Sequence, residues 1–89
     1  MSRHRFHLDH GGHSVTVNLR HGLHTEIELL VDGKEVGLQR VHGHGPWTMA
    51  DVLPDDPPKP FTVRITQDDG PGCVLLTDGL ERPMPTTPD

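Results

Sequence analysis

The chain has no tyrosine, one tryptophan and only two phenylalanines, too few rings to build a stacking platform for bases. Cations are scarce as well. Eight Lys and Arg stand against thirteen Asp and Glu, for a net charge of −5, so no basic groove for a phosphate backbone is expected and nucleic acid is not an expected partner. The single cysteine, Cys73, rules out an internal disulfide, which points to a reducing compartment. No apolar run approaches the ~18 residues that span a bilayer. The N-terminal "MSRHRFHL" also lacks the apolar stretch of a signal peptide. A cytoplasmic location without membrane partners is the expectation.

Helical spacing of apolar residues is nearly missing too, and ten Gly with nine Pro argue against long helices. Hydrophobic content is 31%, and it stays below the usual roughly 45–50% even when glycine is added. The core will be thin.

What the chain has is alternation. Phe6 and Leu8 alternate with polar residues, as do Val15, Val17 and Leu19, then Ile27, Leu29 and Val31, then Val36 and Leu38, then Phe61, Val63 and Ile65. "GCVLLT" is apolar on both parities, the pattern of a strand covered on both faces. This predicts an all-β fold: a small antiparallel β-sandwich of six to seven strands built from hairpins, with at most one short helical turn near 48–53. Thr48 would cap that turn and Pro54 would end it. Residues 1–82 would form one domain, and "RPMPTTPD" supplies a flexible tail over 83–89.

Turn chemistry sets the register. Asp32-Gly33 is a strong hairpin signal and pairs Leu29 with Val36 and Ile27 with Leu38. Gly11-Gly12 pairs Leu8 with Val15 and Phe6 with Val17. A two-residue Gly22-Leu23 turn would oppose Leu19 to Glu26, the wrong face. An odd loop, a bulge or a crossing between sheets resolves the conflict, and the crossing is the preferred reading. Asp68 to Pro71 as a loop opposes Ile65 to Val74. Asp78-Gly79 leads to a short strand at 80–82.

Eight histidines dominate what remains, with "HRFHLDHGGH" placing one at every third residue. On a strand that spacing alternates faces, so the run is not one metal cage. The hairpins bring a different set to one end of the sandwich: His4, His21, His24, His42 and His44, with His42-x-His44 facing one way. Imidazoles in such a group suit Zn, Ni or Cu. His10 and His13 fall at the other end. Charging all eight histidines would take the net charge from −5 to +3, and mutual repulsion at the crowded end would loosen the fold in acid.

Catalytic signatures are thin. No Ser–His–Asp signature or phosphate-cradling glycine loop is present. Asp55-Asp56 and Asp68-Asp69 read as turn residues, and Cys73 reads as inert packing. Trp47, in a loop bounded by Gly and Pro, is the candidate partner-binding residue, the competing role being a lid over the open end. The expected function is a non-enzymatic interaction or accessory module with a protein partner or a second copy. Metal binding through the five-histidine end is the alternative.

Overall fold

Three two-residue turns organise the chain. Gly11-Gly12, Asp32-Gly33 and Asp78-Gly79 hold both residues at positive φ (59° and 82°, 51° and 81°, 51° and 72°). That is the reversal whose twist matches a pair of right-twisted strands, and it explains why Gly occupies the second position each time. The computed structural model describes residues 2–88; Met1 and Asp89, the outer ends of the expected domain and tail, lie outside the described residues.

Nine strands follow in order: β1 (Ser2–His10), β2 (His13–His21), β3 (Thr25–Val31), β4 (Lys34–Val41), β5 (Trp47–Leu53), β6 (Lys59–Thr66), β7 (Gly72–Thr77), β8 (Leu80–Pro83) and β9 (Thr86–Thr87). They form two antiparallel sheets, β4-β3-β2-β1-β9 and β5-β6-β7-β8. β1–β4 and β5–β8 are each a meander of consecutive hairpins, and β9 joins the outer edge of β1. The chain passes between sheets at 42–46 and returns at 84–85.

The expected β-sandwich is the observed fold, with nine strands among the described residues against the expected six to seven. The stretch 47–53 is a strand, not a helical turn: β5 pairs with β6 from Trp47↔Ile65 to Leu53↔Lys59. Thr48, the expected cap, lies within β5, and Asp51 Oδ1 accepts the backbone N–H of Val52 at 2.7 Å. The other addition is β9. Thr86 and Thr87 pair with Phe6 and Arg5, the N–H of His7 donates to the carbonyl of Pro85 at 3.0 Å, and Met84 is buried. Residues 83–87 therefore belong to the sandwich, because Met84 anchors the return and the free edge of β1 takes up the backbone that follows.

Registers decide which side chains face inward. The diglycine hairpin pairs Leu8↔Val15 and Phe6↔Val17, as expected. The β2–β3 connection stays within one sheet, so the preferred crossing is wrong. Its three residues, 22–24, give the odd loop that opposes Leu19 to Ile27.

The β3–β4 hairpin starts in the expected register, Val31↔Lys34, then slips by one between Leu29 and Leu30. Leu29 meets Gly37 and Ile27 meets Gln39, so the expected partners Val36 and Leu38 are displaced and exposed. A β-bulge on an edge strand kinks it and hinders pairing with another edge. The β6–β7 register is also one off the expectation: Ile65 faces Cys73 and Val63 faces Leu75, across a loop at 67–71. Cys73, Leu75 and Thr77 then point inward.

Between the sheets lie Phe6, Val17, Leu19, Ile27, Leu53 and Ile65, with Val63 and Leu75, all essentially without solvent contact. Each such side chain contributes about 1.5–3 kcal/mol of transfer free energy. Thr77 is buried among them and its hydroxyl donates to the Pro60 carbonyl at 3.0 Å. Cys73 is buried, its thiol donates to the Met84 sulfur at 3.5 Å, and desolvation pushes its pKa up to about 12. A thiol so poorly ionised is no nucleophile at neutral pH.

Candidate functional site

The inner face of the β1–β2 hairpin is apolar in the middle and histidine at its ends. Phe6, Leu8, Val15, Val17 and Leu19 form the middle; His4, His10, His13 and His21 share their face by alternation. Three of these four rings reach across to the second sheet or its loops. His10 Nδ1 accepts from Arg82 Nη1 of β8 at 2.8 Å. His21 Nε2 accepts from the Gln67 amide, which follows β6, at 2.9 Å. His13 Nε2 lies 2.6 Å from Asp55 Oδ1, just beyond β5. The histidines thus fasten both open ends of the sandwich, where a thin core leaves polar rims facing one another.

His13 is held on both sides. Its Nδ1 lies 2.7 Å from Asp32 Oδ2 in the β3–β4 turn. The other Asp32 oxygen accepts the Ser14 N–H at 2.9 Å, and the Asp32 N–H donates to the Ser14 carbonyl at 2.8 Å. The His13 side chain is 15% exposed. A neutral imidazole has one N–H, so only the imidazolium can donate to both carboxylates. Its hydrogen bonds to Asp55 and then to Asp32 raise its pKa above the ordinary value. The Ser14 N–H, followed by His13, lowers that of Asp32.

His7 points to the opposite face. Its Nε2 lies 2.9 Å from Ser14 Oγ and 3.2 Å from Asp9 Oδ1. The residue types are those of a hydrolase triad, but the geometry is not. Both partners sit on one ring nitrogen, whereas proton relay requires the serine and the carboxylate on opposite nitrogens.

The five histidines expected at one end are brought to one end of the first sheet by the register: Ser2↔His21, His21↔Thr25 and Thr25↔Val41 are successive rungs there. The His4 and His21 rings meet edge-on with centroids 6.0 Å apart. His24 lies in the β2–β3 loop, and His42 and His44 lie in the exposed crossover after β4. Among the described residues, no group of three or more His, Cys, Asp or Glu side chains is arranged to hold a metal ion. Trp47 opens β5, half-buried against the core, and its indole N–H donates to the His42 carbonyl at 3.1 Å. It seats the crossover.

The outer faces of the sheets differ. On the first sheet, Arg5 Nε donates to Asn18 Oδ1 at 3.1 Å, Asn18 Nδ2 donates to Glu28 Oε1 at 2.9 Å, and Arg20 Nη2 reaches the same oxygen at 3.0 Å. The Asn18 bond holds the Glu28 pKa below its usual value, and Glu28 in turn raises that of Glu35. This network covers Asn18 so fully that it is 4% exposed on a solvent-facing side. Sequence reading missed it, because a polar residue at an outward position looks merely solvated.

On the second sheet, Ala50, Val52, Pro60, Val74 and Leu76 share the outward face by alternation, and Arg64–Glu81 at 2.9 Å is an ion pair there. A shallow trough of about 500 Å³ runs over this face. Ala50, Pro60, Thr62, Leu76 and Leu80 line it, with Asp51, Asp78 and Glu81 also along its walls. No helix among the described residues is long and apolar enough to cross a membrane. Compared with known proteins, the chain matches no family model, no curated protein and no solved structure.

Proposed function

We propose that the chain is a non-enzymatic interaction module that docks a protein partner on the outer face of its second sheet. The observation that carries this reading is β7. Its outward residues, Val74 and Leu76, continue the apolar pattern of a strand meant to be covered on both faces, yet no layer among the described residues lies above them. Val52 (47% exposed) and Leu80 (57% exposed) extend the apolar area. Three carboxylates and no Lys or Arg line the trough, which favours a partner that presents apolar side chains flanked by cations. The bulge in β4 disfavours the alternative of adding a strand at that edge. A single buried thiol accords with a cytoplasmic setting.

The test places a photoreactive residue at Leu76, with a control at Thr16 on the outer face of the first sheet, in cells that naturally express the chain. A discrete adduct from position 76 alone, lost on Val74→Lys while the melting temperature holds, supports the reading. Equal adducts from both positions, or none from position 76, overturn it.

A second reading, binding of Zn, Ni or Cu, draws on the register that gathers His4, His21, His24, His42 and His44 at one end. Calorimetry with each metal at neutral pH tests it. Micromolar binding that His42→Ala and His44→Ala together abolish supports a site; binding weaker than that, or indifferent to both changes, removes it.

A further inference from the structure

Two carboxylates on one imidazole, contributed by three segments from both sides of the sandwich, form a fastening that depends on a proton. We propose that protonated His13 is a latch between the sheets, holding the β5–β6 connection (54–58) to the first sheet and releasing it as pH rises.

With both ring nitrogens protonated, His13 donates to Asp32 at 2.7 Å and to Asp55 at 2.6 Å. Removal of one proton leaves a nitrogen lone pair facing a carboxylate lone pair at that distance, which is repulsive. One of the two contacts must then open. Asp32 is the better held, since it also accepts from the Ser14 N–H and donates its own N–H to the Ser14 carbonyl. Among the described residues Asp55 has a single further tie, from its backbone N–H to the Leu53 carbonyl at 2.8 Å, and that bond stays within its own segment. The contact that opens is therefore Asp55, and the element that moves is the connection carrying it.

Other charges near His13 do not replace the proton. His10 is its cross-strand neighbour in β1 and accepts from Arg82 of β8, so the charge behind it is positive and opposes the imidazolium. Lys34 shares with Asp32 the wall of a cleft of about 230 Å³, which Val31, Val36, Val52 and Pro54 complete. Among the described residues, the only ion pairs that Asp32 and Asp55 make are those with His13. Pro54, beside Asp55, forms part of that cleft wall, so release of Asp55 loosens one side of the cleft between β4 and β5.

The sign follows from linkage. The folded state binds the His13 proton more tightly than the unfolded chain does, so the stabilisation is complete below the unfolded value of about 6.5 and is lost as pH rises through the higher folded value.

NMR on the intact chain tests the latch directly. The His13 ring titration should have its midpoint above 6.5, and the Asp55 amide shift should follow the same curve. The melting temperature should fall between pH 6 and 8.5 in the wild type and stay flatter in Asp55→Asn. A midpoint at or below 6.5, an Asp55 amide that ignores the titration, or the same pH slope in Asp55→Asn would overturn the proposal. The wild-type titration stands even where a variant fails to fold.

Discussion

Asn18 and Glu28 face each other across β2 and β3, and the 2.9 Å bond between them is the centre of a network that buries an asparagine on the outside of a sheet. Replacement by alanine leaves Arg5 Nε without its acceptor and Glu28 Oε1 with Arg20 as its one remaining donor. Asn18→Ala should therefore cost about 1–3 kcal/mol, more than an outward strand position ordinarily does. Urea unfolding of the two proteins reads the difference. A change within ±0.5 kcal/mol, the usual surface range, would mean that solvent replaces the network without loss.

Gly37 sits opposite Leu29 at the bulge, and a Cβ added there would come 2.7 Å from the terminal methyl of Met49. That methyl ends a flexible side chain, which can swing away. Gly37→Ala should thus be tolerated, within about 1 kcal/mol of wild type once the gain from a stiffer unfolded chain is counted. Gly37→Val adds two branches where one methyl already fills the space and should cost about 1–3 kcal/mol. Thermal melts of the pair check the ordering.

Cys73 supplies a reporter of opening. Burial and a pKa near 12 leave almost no thiolate at pH 8. Labelling by a disulfide reagent should be slow in the native protein, rapid in urea, and limited by the opening equilibrium between those extremes. Fast stoichiometric labelling of the native chain would show that β7 breathes independently of the rest.

Acid should act on the fold in two opposed steps. Between pH 8.5 and 6, protonation of His13 should raise stability, opposite in sign to the loosening expected from histidine crowding. Below the ordinary aspartate value near 3.8, stability should fall, because the Asp32 pKa is depressed in the fold and its contribution is lost as pH drops through that lower value. A melting temperature that peaks between these limits is the expected profile; a monotonic fall from pH 8.5 to 5 would show that the crowded histidine end prevails.

Hairpin grammar carried most of the fold. Three turns with Gly in second place, and the alternation around them, were enough for seven of the strands. The errors have local causes. Alternation puts Val36 inward because nothing in "KEVGLQR" announces that one residue will be extruded, whereas the closeness of Gly37 to Met49 is visible only once the second sheet lies across it. β5 was missed because Asp51 interrupts its inward row and Thr48 resembles a helix cap. The His13 latch was out of reach for a different reason. Asp55 lies forty-two residues away, and as part of "PDDPP" it carries every mark of a turn residue. Only the folding of one sheet over the other discloses its partner.

The return of β9 to the edge of β1 bears on how the chain is made on a ribosome. Each meander can zip from neighbour to neighbour as it emerges, which favours rapid, local assembly. The outer edge of β1 has no such neighbour until residues 86 and 87 have been synthesised. Until then that edge stays open, and unlike the β4 edge it has no bulge to blunt it, so a nascent chain stalled before Met84 would offer it to other polypeptides.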